Sequence, residues 1–353
     1  MNNHLTLITG APGWLGTRLV RVLTEGLKDD DRFREGCPDR PLRCLVQMGQ
    51  DITPLSCIKG NVEIIFGDLT RAESLRPFFK DAQGTTLFNC AGVIHPDRGV
   101  KQFYEVNVTG VRNLIEAAQK AGIKRFIHVS SNSPIGCNPS RDHLFDETSP
   151  YNPYMNYGKS KKMGEDLVNE AASSGKIETV IIRPPWFYGP DQPPRQTLFF
   201  KMIRDGKAPI LGDGENRRSM AYVDNICQGL LLCERVQEAQ GKTYWIADER
   251  PYSMNEIVDT IERLLETEFH QRCAHKRMKL PGFVGDVAQL IDGGLQSVGL
   301  YNQKIHVLSE MNKTIACSIE KAKKELGYDP KISLEEGMRR SLKWVWDTLG
   351  PLQ

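Results

Sequence analysis

Several features that mark other classes of protein are missing from this 353-residue sequence. No apolar run approaches the roughly 18 residues that a membrane-spanning helix needs. No block of like charge is present either, and 46 basic against 44 acidic residues leave a net charge of only +2. This balance differs from the basic surface of a nucleic-acid-binding protein. We therefore expect a small-molecule partner, no nucleic acid and no membrane span.

Paired cysteines are missing as well. The nine cysteines are an odd number, are scattered, and include no Cys-x-x-Cys pair, which is typical of a reducing compartment. The N-terminus has no basic start and no cleavage site, so we expect a cytoplasmic protein. His270, Cys273 and His275 resemble metal ligands, but their spacing matches no standard zinc pattern. We expect a polar surface segment there and no metal.

Short β-branched runs alternate with helical stretches through the first half of the chain. Six strands are predicted, at residues 5–9, 42–46, 62–66, 86–89, 125–129 and 180–182. Apolar residues at helical spacing predict helices at residues 14–27, 71–80, 101–121 and 157–174. This alternation predicts βαβ units and an α/β fold with a doubly wound parallel sheet.

Beyond Pro184 the alternation weakens because Pro and Gly recur. We expect a nucleotide-binding domain over residues 1–183, to which later segments can return, and a smaller, irregular, mainly substrate-binding part over residues 184–353. Further helices are predicted at 253–266, 318–326 and 333–346, each starting at a serine. The long polar stretch 132–156 is expected to be a loop beside a functional site.

A glycine-rich turn, TGAPGWLG, follows the first predicted strand. Gly10, Gly13 and Gly16 allow a tight turn and close approach of the backbone to a pyrophosphate, and Trp14 and Leu15 open the following helix. Glycines also occur in such turns for steric reasons alone. Their place between a strand and a helix near the N-terminus favours a dinucleotide site.

Two polar residues follow the next strands. Asp68 is placed to accept a hydrogen bond from an adenine amino group, or to cap the helix expected from Arg71, and both roles are compatible. An acid after the second strand favours NAD and a basic residue favours NADP. Gln47 is neither, and with no basic residue nearby NAD is slightly favoured over NADP.

Tyr157 and Lys161 are four residues apart at the start of a predicted helix, so they share one face. A neighbouring ammonium lowers the pKa of a phenol, which makes the tyrosine a usable acid or base. Such a pair also occurs by chance, but here it follows the glycine turn and Ser130-Ser131. Ser131 is expected to hydrogen-bond a substrate oxygen beside Tyr157, although serines in this position also form turns.

The sequence resembles the extended short-chain dehydrogenase/reductase family, also called the NAD-dependent epimerase/dehydratase family, over nearly its whole length. The matching pieces are TGxxGxxG at 9–16, GDL at 67–69, NCAG at 89–92, NVTG at 107–110, SS at 130–131, YxxxK at 157–161 and RP at 183–184 through YGP at 188–190. The resemblance implies a Rossmann domain, a cofactor site that includes Leu69, Ala91, Tyr157 and Lys161, with Lys161 holding the nicotinamide ribose, and a homodimer formed through the helices at 101 and 157.

The resemblance also implies a triad of Ser131, Tyr157 and Lys161. In the family, the tyrosine exchanges a proton with the substrate oxygen while C4 of nicotinamide takes or gives a hydride. Ser131 is preferred over Ser130 because it lies five residues before Gly136, which matches the glycine of a family turn. That turn reads PIG here rather than the usual VYG, which leaves the choice between the two serines open.

Signals for the substrate conflict. Arg218 matches the position where nucleotide-sugar epimerases bind a diphosphate, or it is a solvated surface arginine. Trp186 stands where such enzymes usually have asparagine, and it offers an apolar face with one donor. The VDN segment at 223–225 and the C-terminal 321–330 are similar to 3β-hydroxysteroid dehydrogenases.

We therefore expect an NAD(P)-dependent oxidoreductase that performs net dehydrogenation or reduction at a secondary alcohol or ketone, in the 3β-hydroxysteroid-dehydrogenase-like branch. The alternative is a nucleotide-sugar 4-epimerase or dehydratase with transient hydride transfer and tightly bound NAD. A non-enzymatic cofactor sensor is a third hypothesis. A sensor would not require Ser131, Tyr157 and Lys161 together, so their presence disfavours this hypothesis.

Overall fold

A computed structural model describes residues 5–352. Seven strands form one parallel sheet: β1 (Thr6–Thr9), β2 (Leu42–Val46), β3 (Val62–Phe66), β4 (Thr86–Asn89), β5 (Arg125–Val129), β6 (Glu178–Arg183) and β11 (Lys242–Trp245). Their order across the sheet is β11-β6-β5-β4-β1-β2-β3. The order reverses between β1 and β4, and this switch point is where doubly wound folds form a crevice at the carboxyl ends of the strands.

The remaining strands are short and lie outside this sheet. They are β7 (Trp186–Tyr188), β8 (Pro209–Leu211), β9 (Arg217–Arg218), β10 (Met220–Tyr222), β12 (Tyr252–Ser253) and β13 (Met278–Leu280). They pair as β7 with β10, β8 with β13, and β9 with β12. These pairs build the part of the molecule above the carboxyl ends of the central sheet.

Twelve α-helices occur within residues 5–352. They are α1 (Trp14–Glu25), α2 (Thr53–Ser56), α3 (Lys101–Tyr104), α4 (Val111–Lys120), α5 (Met155–Ser173), α6 (Pro194–Arg204), α7 (Val223–Arg235), α8 (Met254–Thr267), α9 (Phe283–Ser297), α10 (Gln303–Glu310), α11 (Glu320–Leu326) and α12 (Leu334–Leu349). A π-helical stretch, Glu105–Gly110, joins α3 to α4, and 3₁₀ turns lie at Ala72–Leu75 and Gln237–Ala239.

Three apolar clusters hold the layers together. One packs α1 and α7 on one face of the sheet, and a second packs α4 and α5 on the other. The alternation of apolar residues at helical spacing produces these faces, because each helix buries a single stripe. A third cluster joins α6, α8 and α12 to β7 and β10, which gives the later half of the chain its own core.

The six predicted strands and the α/β fold with a doubly wound parallel sheet are confirmed. The predicted helix at 71–80 is wrong, since only the 3₁₀ turn Ala72–Leu75 forms there. The seventh strand and helices α6, α7, α9 and α10 were not predicted. Ser253 and Ser333 cap α8 and α12, and each side chain accepts a hydrogen bond from a backbone N–H three residues on.

Two further findings concern compartment and membrane. All nine cysteines are free. Within residues 5–352, no helix has the combined length and apolar character required to traverse a bilayer.

Candidate active site

One large cleft lies at the carboxyl ends of the central strands and has a volume of about 2020 Å³. It brings together every residue predicted for catalysis, cofactor binding or substrate binding: Gly10, Gly13, Trp14, Leu15, Gly16, Gln47, Asp68, Leu69, Ala91, Ser131, Tyr157, Lys161, Trp186 and Arg218. Residues separated by some 200 positions therefore face one space, which is large enough for a dinucleotide together with a substrate.

The glycine turn forms the floor of this cleft beside β1. Gly10 has φ +80°, and a Cβ atom there would lie 2.5 Å from the backbone nitrogen of Ala91. A Cβ on Gly16 would lie 2.4 Å from the carbonyl oxygen of Gly10. Only glycine allows these close approaches. The turn leads into α1, whose N-terminus carries the partial positive charge that favours a phosphate.

Trp14 and Asp68 line the same part of the cleft. The indole N–H of Trp14 donates to the carbonyl oxygen of Pro190 at 2.6 Å, which ties the turn to the later half of the chain. Asp68 Oδ1 accepts hydrogen bonds from the backbone N–H and the hydroxyl of Thr70, both at 2.8 Å. Asp68 therefore stabilises a local turn and faces the cleft, but the expectation that it caps a helix from Arg71 is wrong, because only a 3₁₀ turn without a side-chain cap forms there.

Gln47 ends β2 and is exposed at the cleft rim. Its backbone N–H donates to Oε1 of Gln50 at 3.1 Å, which leaves the Gln47 side-chain amide for other partners. An amide both donates and accepts hydrogen bonds, so this residue suits a ribose hydroxyl better than a phosphate dianion.

The predicted triad meets where β5 ends and α5 begins. Ser131 and Lys161 are buried, and Tyr157 packs against Phe103 with ring centroids 5.7 Å apart. The Ser131 hydroxyl lies close enough to the Tyr157 phenol to lower its pKa, and it hydrogen-bonds Asn132 and Ser133 at 3.3–3.4 Å. The buried Ser130 hydroxyl has no hydrogen-bond partner in the described residues. The geometry thus favours Ser131 over Ser130 as the serine beside the tyrosine.

The electrostatics of the pair differ from the sequence expectation. Burial raises the pKa of Tyr157 to about 12, only partly opposed by the contact with Ser131. Burial lowers the pKa of Lys161 to about 8, and its Nζ donates to the carbonyl oxygen of Val129 at 2.9 Å. The expectation that the lysine lowers the tyrosine pKa is wrong, because the cost of burying a phenolate dominates.

Trp186 and Arg218 line the far half of the cleft. Trp186 lies on β7 and stacks obliquely on Phe199 at 5.7 Å between ring centroids. Arg218 lies on β9, is buried, and donates through Nη2 to the carbonyl oxygen of Glu310. Its buried Nε has no partner within residues 5–352. Arg218 is therefore no solvated surface arginine, which corrects that alternative.

Sequence reasoning missed His95 and Arg195, which line this cleft. His95 Nδ1 lies 2.6 Å from the hydroxyl of Tyr301, which stands behind it in the loop between α9 and α10, and Arg195 is exposed. Burial lowers the pKa of His95 to about 4, so its imidazole is neutral near pH 7. His95 follows the NCAG motif after β4, the one signal that could have pointed to it. Nothing local marks Tyr301.

Two groups of the segment around His270, Cys273 and His275 bond to one carboxylate of α8. His275 Nε2 lies 2.7 Å from Glu266 Oε1, and the backbone N–H of Cys273 donates to the same oxygen. Across residues 5–352, no three potential ligands converge on one point.

A glycine turn and a Tyr–Lys pair in one cleft, at the switch point of a parallel sheet, define a nucleotide-dependent α/β enzyme of the short-chain dehydrogenase/reductase type. Residues 6–247 match the family model described as the NAD dependent epimerase/dehydratase family. The chain belongs to this family and is an enzyme of the extended short-chain dehydrogenase/reductase type.

Three similar proteins illustrate the range of this family. An uncharacterised protein of Sinorhizobium fredii, y4nL, is 50% identical over 98% of this chain and 96% of its own length. The 3beta-hydroxysteroid-dehydrogenase/decarboxylase isoform 1 of Arabidopsis thaliana is 28% identical over 95% of this chain and 78% of its own. The dTDP-glucose 4,6-dehydratase DesIV of Streptomyces venezuelae, solved with NAD and TYD bound, superposes with a TM-score of 0.75 at 24% identity, covering 99% and 100%.

Proposed function

We propose that the protein is an NAD-dependent dehydrogenase or reductase that transfers a hydride at a secondary alcohol or ketone carbon. The meeting of Ser131, Tyr157 and Lys161 in the cleft above the glycine turn carries this proposal. NAD is favoured over NADP because Gln47 at the end of β2 is uncharged, and the related DesIV was solved with NAD. Gly10, Gly13 and the N-terminus of α1 would hold the pyrophosphate.

The bound nicotinamide supplies the hydride acceptor in oxidation and the hydride donor in reduction. In reduction, Tyr157 donates its phenolic proton to the carbonyl oxygen as the hydride reaches the carbon, which yields the alcohol and a phenolate. Ser131 orients that oxygen by hydrogen bonding, and the Lys161 ammonium stabilises the phenolate. Oxidation runs these steps in reverse, with the Tyr157 phenolate accepting the proton of the alcohol.

The lining of the far half supports an apolar substrate. Trp186, Phe187, Phe199, Met202 and Met311 face the cleft there. Such side chains stabilise a hydrocarbon skeleton through burial, at about 25 cal/mol per Å² of apolar surface. The similarity to a 3β-hydroxysteroid dehydrogenase agrees with this chemistry.

A second candidate is a nucleotide-sugar 4-epimerase or dehydratase, which returns the hydride and leaves NAD unchanged overall. The unpartnered Nε of Arg218 favours it, because a buried guanidinium with a free donor suits a diphosphate.

Absorbance of reduced nicotinamide during turnover distinguishes the dehydrogenase from the nucleotide-sugar epimerase or dehydratase. We expect reduced cofactor to accumulate when NAD and a cyclic apolar secondary alcohol are supplied, and none to accumulate with a nucleotide sugar. Conversion of a nucleotide sugar to its 4-epimer without net reduction, and no turnover of apolar alcohols, would reject the dehydrogenase proposal in favour of the second.

The pH dependence of ketone reduction follows from the two pKa values. The step needs a protonated Tyr157, which persists to about pH 12, and a charged Lys161, which is lost above about pH 8. We expect kcat/KM for reduction to fall as the pH rises through about 8. Lys161→Arg keeps a cation at high pH and should move the fall upward in variants that remain active. A flat profile to about pH 10 in the unmodified enzyme contradicts the assignment.

We further propose a cytoplasmic homodimer that packs through the helices at 101–120 and α5, with a cofactor domain over 1–183 to which α7 and β11 return, and a mainly substrate-binding part over 184–353. The half-exposed apolar side chain of Met163 on α5 supports this interface. Sedimentation velocity of a Met163→Glu variant should show monomers where the unmodified protein gives dimers.

A further inference from the structure

The helix α9 exposes apolar side chains and buries polar ones, which is the opposite of a normal surface helix. Its outer stripe carries Phe283, Val287, Leu290 and Ile291, of which Phe283 is 64% exposed and Leu290 is 77% exposed. These positions follow the i, i+4, i+7, i+8 spacing of one helical face. Large exposed apolar side chains grouped on one face mark an interaction surface, unlike the single ones scattered over most proteins.

The inward face of α9 is polar. Asp292 and Gln296 are buried, and Asp292 Oδ2 lies 2.7 Å from His306 Nδ1 of α10 and accepts from Gln296 Nε2 at 2.9 Å. This buried network fixes α10 to α9. Rotating α9 to bury the apolar stripe would break the hydrogen bonds of Asp292 and Gln296 and expose both side chains to solvent. The buried network therefore keeps the apolar stripe on the outside of the protein.

The apolar face continues beyond α9. Val298 and Leu300 in the α9–α10 loop and Val307 on α10 are exposed. Val307 also lines the cleft, as does exposed Leu198 of α6. We define the hairpin face as Phe283, Val287, Leu290, Ile291, Val298, Leu300 and Val307. Val307 is the member of this face that also lines the candidate active site.

Charge around the hairpin face is positive. Lys279 lies on β13, the strand before α9, Lys276 lies two residues before that strand, and Lys304 lies in the first turn of α10. All three are exposed, and none has an ion-pair partner in the part of the chain that the structure describes. The exposed acid of α9, Asp286, is neutralised by Lys313 Nζ at 2.6 Å. An apolar stripe flanked by free lysines matches the two layers of an anionic membrane surface, acyl chains and phosphates.

We propose that the hairpin face is a membrane-docking surface that binds anionic phospholipid bilayers peripherally, with α9 lying in the interface. A second copy of the chain fits this face less well, because a two-fold contact would bring the lysines of one copy toward those of the other. Docking places Val307 of the cleft lining against the bilayer. The binding proposal itself does not depend on the reaction proposed above.

Co-sedimentation with vesicles tests it. We expect the protein to pellet with vesicles of phosphatidylcholine and phosphatidylglycerol and to bind pure phosphatidylcholine more weakly. Leu290→Asp should weaken binding to both by at least about tenfold, because it removes apolar burial and adds a negative charge. Lys276→Glu with Lys279→Glu should weaken binding only to the anionic vesicles, and added salt should reproduce that loss.

Leu144→Asp is the matched control, since Leu144 is 42% exposed and lies outside both the hairpin face and the cleft lining. It should bind vesicles as the unmodified protein does, and each variant should keep its melting temperature. Three results would overturn the proposal: an unmodified protein that stays in the supernatant, an equal loss in Leu144→Asp, or a change from dimer to monomer caused by Leu290→Asp in sedimentation velocity.

Discussion

Replacement of Tyr157 by phenylalanine is expected to lower kcat by about 10²- to 10⁴-fold, the range that a positioned proton donor contributes. The ring can keep its packing against Phe103, and only the hydroxyl that contacts Ser131 is removed. Affinity for NAD should change little, since the pyrophosphate would rest on the glycine turn at the other end of the cleft. Steady-state rates and NAD titration of the same preparation measure both quantities.

Tyr244→Phe is the control for this experiment. Tyr244 also loses a hydrogen-bonded hydroxyl, which donates to Glu325 Oε2 at 2.8 Å, but it does not line the cleft. Its activity should stay within about threefold of the unmodified enzyme, because Tyr244 lies outside the cleft and a single lost hydrogen bond costs only about 1 kcal/mol of stability. A Tyr157→Phe enzyme with full activity would remove the catalytic assignment and revive the cofactor-sensor hypothesis.

Replacement of Glu165 by leucine is expected to lower the free energy of unfolding by about 3–5 kcal/mol. Glu165 on α5 and Arg183 at the end of β6 form an ion pair of 2.6 Å with side chains that are 0% and 3% exposed. Tyr151 completes the group, donating its hydroxyl to Glu165 at 2.7 Å. Without the carboxylate, the Arg183 guanidinium remains charged and buried without compensation.

Two comparisons isolate the ion pair. The double variant Glu165→Leu/Arg183→Met should recover most of the lost stability, since no unpaired charge remains. Asp166→Ala removes the next carboxylate on α5, which pairs with Lys162 at 2.8 Å on the surface, and should cost no more than about 0.5 kcal/mol. Urea unfolding at constant m-value measures all of them, and equal losses for Glu165→Leu and Asp166→Ala would contradict the expectation.

The central sheet could be predicted because its signals are local. Each of the six predicted strands is a short apolar run, and the glycine turn of Gly10, Gly13 and Gly16 marks the first βα connection. Strand β11 gave no comparable signal, since it lies far along the chain in a segment rich in polar residues. Its place beside β6 depends on pairing across some 60 positions, which no local pattern encodes.

The candidate active site also contains some residues that local sequence signals predict and others that only the structure identifies. Residues at the ends of strands, such as Ser131 and Ala91, follow from the motifs that precede them. Arg218 was predicted only by resemblance, and the structure adds that it is buried with an unpartnered nitrogen. His95 was not predicted at all, and only the structure shows its contact with Tyr301. The pKa of Tyr157 was mispredicted because spacing on a helix shows which groups are neighbours but not how much water each one loses.

The late return of β11 to the sheet has a consequence for how this chain tolerates rearrangement. A fragment ending at Arg183 would leave the hydrogen-bonding edge of β6 bare and strip α7 from the apolar cluster that it shares with α1. Such an edge recruits other strands and promotes aggregation. Chimeras that exchange specificity between related enzymes must therefore carry Val223–Arg235 and Lys242–Trp245 with the first half, so a single crossover at residue 184 would not yield a separable module.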